Sequence, residues 1–252
     1  MSIYTNEGLV RHAKRALQLK TRYMWGGILR EITPAYIDLL RSMYGTRNGT
    51  GYSDARYKTL QADANKGVYG CDCVGLIKSY YWSGNPDGGV GSPKYSSNSD
   101  VNAGGMYSLA SEKGKIDTLP EIPGVILISR TSGNHVGIYL GCGETIECTL
   151  GQRGDGVVKR NLDSLWTDWF KCSFIDYKQP APTTALKTVK LAFNAKIRSA
   201  PRYDSESLGV LTAGTRCIIC VNSKKTDPAS RYEYVKLYGH EGWIVTSAVP
   251  MK

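Results

Sequence analysis

Long apolar runs are missing from this sequence. The longest apolar stretches are short, such as Val125-Ile126-Leu127-Ile128, so no segment reads as a membrane span and membrane insertion is not expected. Met1 to Lys20 lacks the uninterrupted apolar core of a signal peptide and carries Arg11, Lys14 and Arg15 in a helical pattern,. The expectation is synthesis and folding in a cytoplasm, with any outside task reached by another exit route such as lysis. No repeat of 20–50 residues is present. Histidine is scarce: only His12, His135 and His240 occur in 252 residues. Cysteine is more frequent but odd in number, at positions 71, 73, 142, 148, 172, 217 and 220. That scatter makes no disulfide framework for a chain of this length. Cys217 and Cys220 fall in a strand pattern, where neighbours three apart face opposite ways, so they are poorly placed to share a metal. Neither a metal nor a cofactor is expected.

Charge is plentiful and uneven. The net charge is +10. Residues 1–178 hold 21 Lys+Arg against 17 Asp+Glu, whereas residues 179–252 hold 11 against 5. A basic tail suits an anionic partner, but its basic residues lie in β-turn sequence without a recognition helix, which argues against nucleic acid.

The hydrophobic periodicity changes along the chain. Thr5 caps an expected helix running to about Leu19, Thr33-Pro34 opens a second, and a weaker one spans about Asp54 to Asn65. Asp72 caps a helix that starts at Cys73 and runs to about Trp82. Residues 83–99 read as a long loop, either a groove wall or a mobile segment. Asp100 is expected to cap a further helix ended by Gly114. From Pro123 the period becomes that of strands: near 124–130, 134–141, 144–149 and 156–160. A short helix from Asp163 to Phe170 and a strand near 172–177 follow. Residues 179–186 are a linker by composition, and 187–252 contain only short strands and turns.

Within this frame one constellation carries chemistry. A cysteine hydrolase needs a thiolate, an imidazole in reach of it, and a third group that fixes the imidazole tautomer. His12 is placed on the solvent side of the first helix, and His240 in a turn of Gly239-His240-Glu241-Gly242. His135 opens the strand His135-Val136-Gly137-Ile138-Tyr139-Leu140, where a base is held rigidly yet partly open. Cys73 stands at a helix N-terminus, where free amides and the dipole lower a thiol pKa, to roughly 3.5–7.5 in activated cases. Cys71, in extended chain before the cap, gains less. Gly75, early in the helix, implies that something approaches closely. If Gly141-Cys142-Gly143 makes a three-residue hairpin loop, Gly137 pairs with Glu147, and Glu147 shares a face with His135. A two-residue loop would point Glu147 away, leaving Thr149 as the alternative orienter.

At these residues the sequence resembles the NlpC family of cell-wall cysteine peptidases, which have a papain-like fold. Tyr23-Met24-Trp25-Gly26-Gly27 is similar to the family's Tyr-x-Trp-Gly-Gly, and Asp72-Cys73-Val74-Gly75-Leu76 to its Asp-Cys-Ser-Gly-Leu. Pro123-Gly124 and His135 to Gly141 are similar to its Pro-Gly-Asp and His-Val-Gly-Ile-Tyr-x-Gly strands. The resemblance implies Cys73 as nucleophile, His135 as base, Glu147 as third residue, and Tyr23 with the Cys73 amide as oxyanion donors. Asp72, Trp25 and Val74 would line the substrate groove. Val74, Val125 and Glu147 depart from the family pattern, and the insertion from Ile28 to Tyr69 is long. The tail resembles a bacterial SH3-like wall-binding domain, through Asn194 to Pro201, Leu208 to Gly214 and the closing Gly239-His240-Glu241-Gly242-Trp243-Ile244. Trp243 is there either core or a binding-face aromatic.

The implied fold is α+β: a papain-like peptidase domain over 1–178, the linker 179–186, and a small SH3-like β-barrel over 187–252. The implied activity is cleavage of a peptide-stem amide of peptidoglycan through a cysteine acyl-enzyme, as in phage endolysins acting on the wall after release. The alternatives are an N-acetylmuramoyl-L-alanine amidase using the same residues, and a non-catalytic wall-binding or phage structural protein. The expected partners are peptidoglycan and anionic wall polymers.

Overall fold

The structure, a computed structural model, describes residues 2–46, 51–90, 92–131, 133–141, 143–177, 186–238 and 242–250. His240, Cys142, residues 239–241 of the closing motif and all of the linker but Leu186 lie outside the described residues. The fold is α+β, with five α-helices among the described residues. By contacts the chain forms two compact units. One comprises Met1–Leu119, Gly124–Tyr139 and Thr145–Tyr177; the other comprises Pro120–Pro123, Leu140–Glu144 and Lys178–Lys252.

In the first unit α1 (Asn6–Leu17) starts where the Thr5 side chain accepts from the Gly8 amide, a side-chain cap of the expected kind,. Strands β1 (Thr21–Tyr23) and β2 (Ile28–Glu31) follow. The insertion then folds as two helices, α2 (Pro34–Tyr44), capped by Thr33, and α3 (Asp54–Asp63), capped by Ser53. They enclose a small core of Met24, Ile32, Ile37, Leu40, Tyr52, Leu60 and Val68. Strand β3 (Tyr69–Cys71) lies between β1, to which it is parallel, and β2, to which it is antiparallel. Helix α4 (Cys73–Tyr81) leaves β3 after one residue, Asp72.

The loop after α4 is not a free segment. Arg11 and Arg15 of α1 both donate to the Asp87 carbonyl, and a Cβ on Gly88 would meet the Gly8 carbonyl at 2.2 Å and the His12 amide at 2.7 Å. Glycine at 88, with φ of +80°, is what lets this loop lie against the helix,. Farther along, Arg30 donates to the Pro93 carbonyl.

Helix α5 (Ala103–Leu109) is capped by Asn102, not by Asp100, because Asn102 accepts from the Gly105 amide while Asp100 pairs with Lys78. Gly114 does not end that helix; it lies in β4 (Lys113–Lys115). The main sheet adds β5 (Ile126–Ser129), β6 (His135–Gly141), β7 (Glu144–Thr149), β8 (Gly156–Asn161) and β9 (Asp168–Phe170), in the order β4-β9-β5-β6-β7-β8. The expected helix at 163–170 is therefore a turn and a strand. Asp163 accepts from the Leu165 amide in a local turn, and Ile126, Leu127 and Ile128 take up Phe170, Trp169 and Asp168 as antiparallel partners,. Nor is 172–177 a strand: only Asp176 bridges, to Thr5.

The second unit holds β10 (Leu186–Lys190), β11 (Ala195–Arg198), β12 (Ser207–Leu211), β13 (Arg216–Thr226), β14 (Glu233–Leu237) and β15 (Trp243–Val245). They form a six-stranded antiparallel sheet in the order β10-β13-β14-β15-β11-β12. Its core includes Leu191, Ile197, Leu211, Cys217, Ile219, Val235, Leu237 and Ile244. Trp243 is half-buried, with the Lys225 ammonium 5.5 Å from its ring centre.

Candidate active site

The β1–β3 register is the first positioning device. Tyr23 stands beside Cys71, so the Tyr-Met-Trp-Gly-Gly segment lies against the segment that carries Cys73. Asp72 joins the two. One carboxylate oxygen accepts from the Gly75 amide at 2.5 Å as the cap of α4, and the other accepts from the Gly26 amide at 2.8 Å. Both oxygens are thus engaged by backbone, and burial, set against these hydrogen bonds, leaves the Asp72 carboxyl above its ordinary pKa. Its role in the fold is that of a clamp. The close approach expected at Gly75 is that of Gly27, whose carbonyl oxygen would lie 1.7 Å from a Gly75 Cβ.

Cys73 is half-buried at the first position of α4, whereas Cys71 and Cys148 are wholly buried with their sulfurs 3.3 Å apart. The electrostatics at Cys73 differ from the expectation. Burial first, and the neighbouring Asp72 carboxylate second, push its thiol up to about 12, against backbone amides of Val136, Val74 and Cys73 that favour the thiolate. These influences together favour the thiol over the thiolate. Tyr23 is buried, and burial with nearby Cys73 and Asp72 raises its pKa well above that of a free phenol. Its hydroxyl therefore stays protonated and able to donate. Arg56 and Asp155 fix Tyr23 through its backbone: Arg56 donates to the Tyr23 carbonyl, and Asp155 accepts from the Tyr23 amide at 3.0 Å. The insertion helix α3 thereby braces this residue.

His135 opens β6, and its Nε2 lies 2.5 Å from Oε2 of Glu147 on β7. The two residues meet on one face of the sheet, so Glu147, the first of the two expected orienters, is the side chain that touches the imidazole; Cys142 of the connecting loop lies outside the described residues. Glu147 has no solvent exposure, so it is not an ordinary surface strand glutamate. Burial raises its pKa, but hydrogen bonds from His135 and Arg153 outweigh that and hold the carboxyl below its ordinary range. An ionised carboxylate only accepts, so Nε2 is the donor in this contact. Trp166 stacks on the imidazole with centroids 5.6 Å apart and planes 19° apart. Gly137 makes room for it: a Cβ there would meet the indole at 2.7 Å and Glu147 Cβ at 3.4 Å.

Three residues here escaped sequence reasoning: Arg153, Asp163 and Trp166. Arg153 donates Nε and Nη2 to Glu147 Oε1 at 3.0 and 2.6 Å, and Nη1 to Asp163 at 2.7 Å. A buried carboxylate demands a cation, so a glutamate at the third position was itself the signal for an arginine near by. Of the residues expected to line a groove, Trp25 is half-buried and offers its carbonyl to Tyr52. Val74 is only 8% exposed, which leaves little side chain for a ligand. Contrary to expectation, His12 is buried. It faces α4, with Nε2 2.7 Å from the Ser79 hydroxyl and Nδ1 3.2 Å from the Gly89 carbonyl. The burial arises because the loop at 85–89 covers that side of α1. Among the described residues no cluster of three or more His, Cys, Asp or Glu could hold a metal, and no helix is long and apolar enough to cross a membrane.

What the fold and site define is an α+β chain with a cysteine at a helix N-terminus and a half-buried histidine paired with a buried carboxylate. No protein-family profile matches the chain, and no curated protein sequence does either. Among solved structures the chain is similar to the peptidoglycan hydrolase RipB of Mycobacterium tuberculosis, with 21% identity, TM-score 0.37, and 68% of this chain and 65% of that one covered. It is likewise similar to a hypothetical invasion protein of the same organism, with 20% identity, TM-score 0.36, and 68% and 62% covered. A third is Ly7917, with 17% identity, TM-score 0.24, and 69% and 82% covered. The chain spans just under two thirds of the length of the two mycobacterial chains.

Proposed function

We propose that this protein is a papain-like cysteine hydrolase that cuts a peptide-stem amide of peptidoglycan, held on the wall by an SH3-like tail. The observation that carries the reading is the pair of half-buried His135 with buried Glu147, which offers a base from the strand whose Val136 amide faces Cys73. The motif resemblance to NlpC peptidases supplies the substrate class, and the basic tail suits anionic wall polymers.

In the proposed reaction the Cys73 thiol gives its proton to Nδ1 of His135 as sulfur attacks the amide carbon. The developing oxyanion accepts hydrogen bonds from the Cys73 amide and the Tyr23 hydroxyl. The C–N bond breaks, and the leaving amine takes the proton from His135. Water then adds to the thioester carbon while His135 accepts its proton. The C–S bond breaks, the stem leaves as a carboxylic acid, and the thiol is restored.

Purified walls digested with the protein, with Cys73→Ala as control, test this by mass spectrometry of the soluble products. New amino termini on D-amino acids or diamino acids are expected. Release of whole stems from glycan would make it an N-acetylmuramoyl-L-alanine amidase. No product above the control would make it a non-catalytic wall-binding or phage structural protein.

A further inference from the structure

We infer that Arg153 is a positioning residue that fixes the Glu147 carboxylate against His135 and offsets part of its charge. The inference rests on the hydrolase reading for its catalytic meaning. Its geometry stands by itself.

Glu147 has two oxygens with separate tasks. Oε2 accepts from His135, and Oε1 is gripped by two donors of the Arg153 fork. A fork of this kind fixes the carboxylate plane as well as its position. Arg153 is held in turn by Asp163, through its third nitrogen. It sits in the β7–β8 loop, where Gly151 and Gly154 have positive φ. That backbone lets the loop fold Arg153 back over the strand that carries Glu147.

The charges around His135 are few. From β7 comes Glu147, from the β7–β8 loop Arg153, from β8 Arg160, and from the segment after β8 Asp163. Arg160 Nε is 4.0 Å from Glu147 Oε1. From α4 the titratable group is Cys73, whose sulfur meets the backbone amide of Val136, the residue after His135. The indole of Trp166 covers the ring face. A buried lone glutamate would favour the imidazolium and so take the base out of use at neutral pH. With Arg153 across its other oxygen, Glu147 is held in one orientation and part of its charge is met by the guanidinium.

The experiment is an imidazole titration by NMR on the full chain, with the His135 signal assigned by its loss in His135→Gln. The proteins are the parent, Arg153→Met, Glu147→Gln and the double variant Glu147→Gln/Arg153→Met. In Arg153→Met the His135 midpoint should move up by about one pH unit or more, because an unopposed carboxylate remains beside it. In the double variant it should return to the value of Glu147→Gln alone. Wall hydrolysis should follow. Arg153→Met should lose roughly tenfold or more of kcat, and the acid limb of its pH profile should move up with His135. The double variant should match Glu147→Gln. Arg153→Lys keeps the charge but not the fork, so it should hold the titration near the parent value while lowering kcat, and it serves if Arg153→Met does not fold. An unmoved His135 midpoint in Arg153→Met, or a double variant as impaired as Arg153→Met, would overturn the proposal. The titration needs no substrate, so failure of the hydrolase reading would appear separately, as inactivity of the parent.

Discussion

Gly75 and Gly27 meet so closely that a Cβ on Gly75 would lie 1.7 Å from the Gly27 carbonyl oxygen and 2.9 Å from its carbon. The contact is backbone, so no rotamer change can relieve it. Gly75→Ala should therefore destabilise the chain by more than the ~1–3 kcal/mol usual for an added methylene in a packed core. It should also lose most wall hydrolysis at temperatures where it is folded, because Tyr23 to Gly27 must move away from α4. Urea unfolding together with turbidity loss of a wall suspension checks both. A variant as stable and active as the parent would mean the two segments are not held as described.

Selective alkylation tests the state of the nucleophile. Cys71 and Cys148 have no solvent exposure and Cys73 is half-buried, so iodoacetamide should label Cys73 first among the described cysteines for reasons of access. With the thiol at about 12, labelling near pH 6 should be slow and should rise by roughly tenfold per pH unit through the alkaline range. Loss of hydrolysis should track it, and Cys73→Ser should be folded and inactive. A labelling rate already flat between pH 6 and 7, and lowered there by His135→Ala, would instead reveal a preformed thiolate–imidazolium pair. Labelling of Cys71 first would move the nucleophile two residues upstream.

Much of this site was legible because it depends on short-range rules. Thr5, Thr33 and Asp72 announce their helices through cap chemistry, and Glu147 follows from the alternation of one hairpin. Other parts depend on contacts far apart in sequence. Asp163 to Phe170 has a helix-like pattern, yet β5 needs a second neighbour and β9 supplies it. His12 looks exposed on a helical wheel, since nothing local tells that a glycine-bearing loop about 75 residues later covers it. The thiol pKa is likewise a property of the assembled site: the helix N-terminus was visible, but the burial that outweighs it was not.

Wall retention tests the tail. Residues 187–252 carry the excess basic charge, and Trp243 with Lys225 over it is a partly exposed aromatic on its β15 strand. Full-length Cys73→Ala should sediment with purified walls at low salt, and retention should fall steeply as salt is raised if anionic polymer is the main attraction. Trp243→Ala should weaken retention at all salt concentrations. Equal sedimentation of residues 1–178 alone would show that the tail is not the anchor.

Acid sensitivity should originate in part at His12, far from the proposed chemistry in role if not in sequence. Burial, with a smaller contribution from Arg15, lowers its pKa from 6.5 to about 4, against hydrogen bonding to the Gly89 carbonyl. The folded state therefore binds a proton less readily than the unfolded chain. The stabilisation this represents is fully present above about pH 6.5 and is lost as pH falls through 4. A shift of this size corresponds to on the order of 3 kcal/mol. Protonation would place a charge between α1 and α4, where Nε2 meets Ser79 and the ring lies 5.7 Å from that of Tyr80. Urea midpoints of the parent should fall between pH 6.5 and 5, before most carboxylates titrate. His12→Gln should start lower at pH 7.5, having lost the imidazole hydrogen bonds, yet change much less over the same interval. Since every other titrating group is common to both proteins, the difference between the two curves isolates His12. Parallel curves would mean that His12 is solvated in solution and that the loop at 85–89 does not cover it.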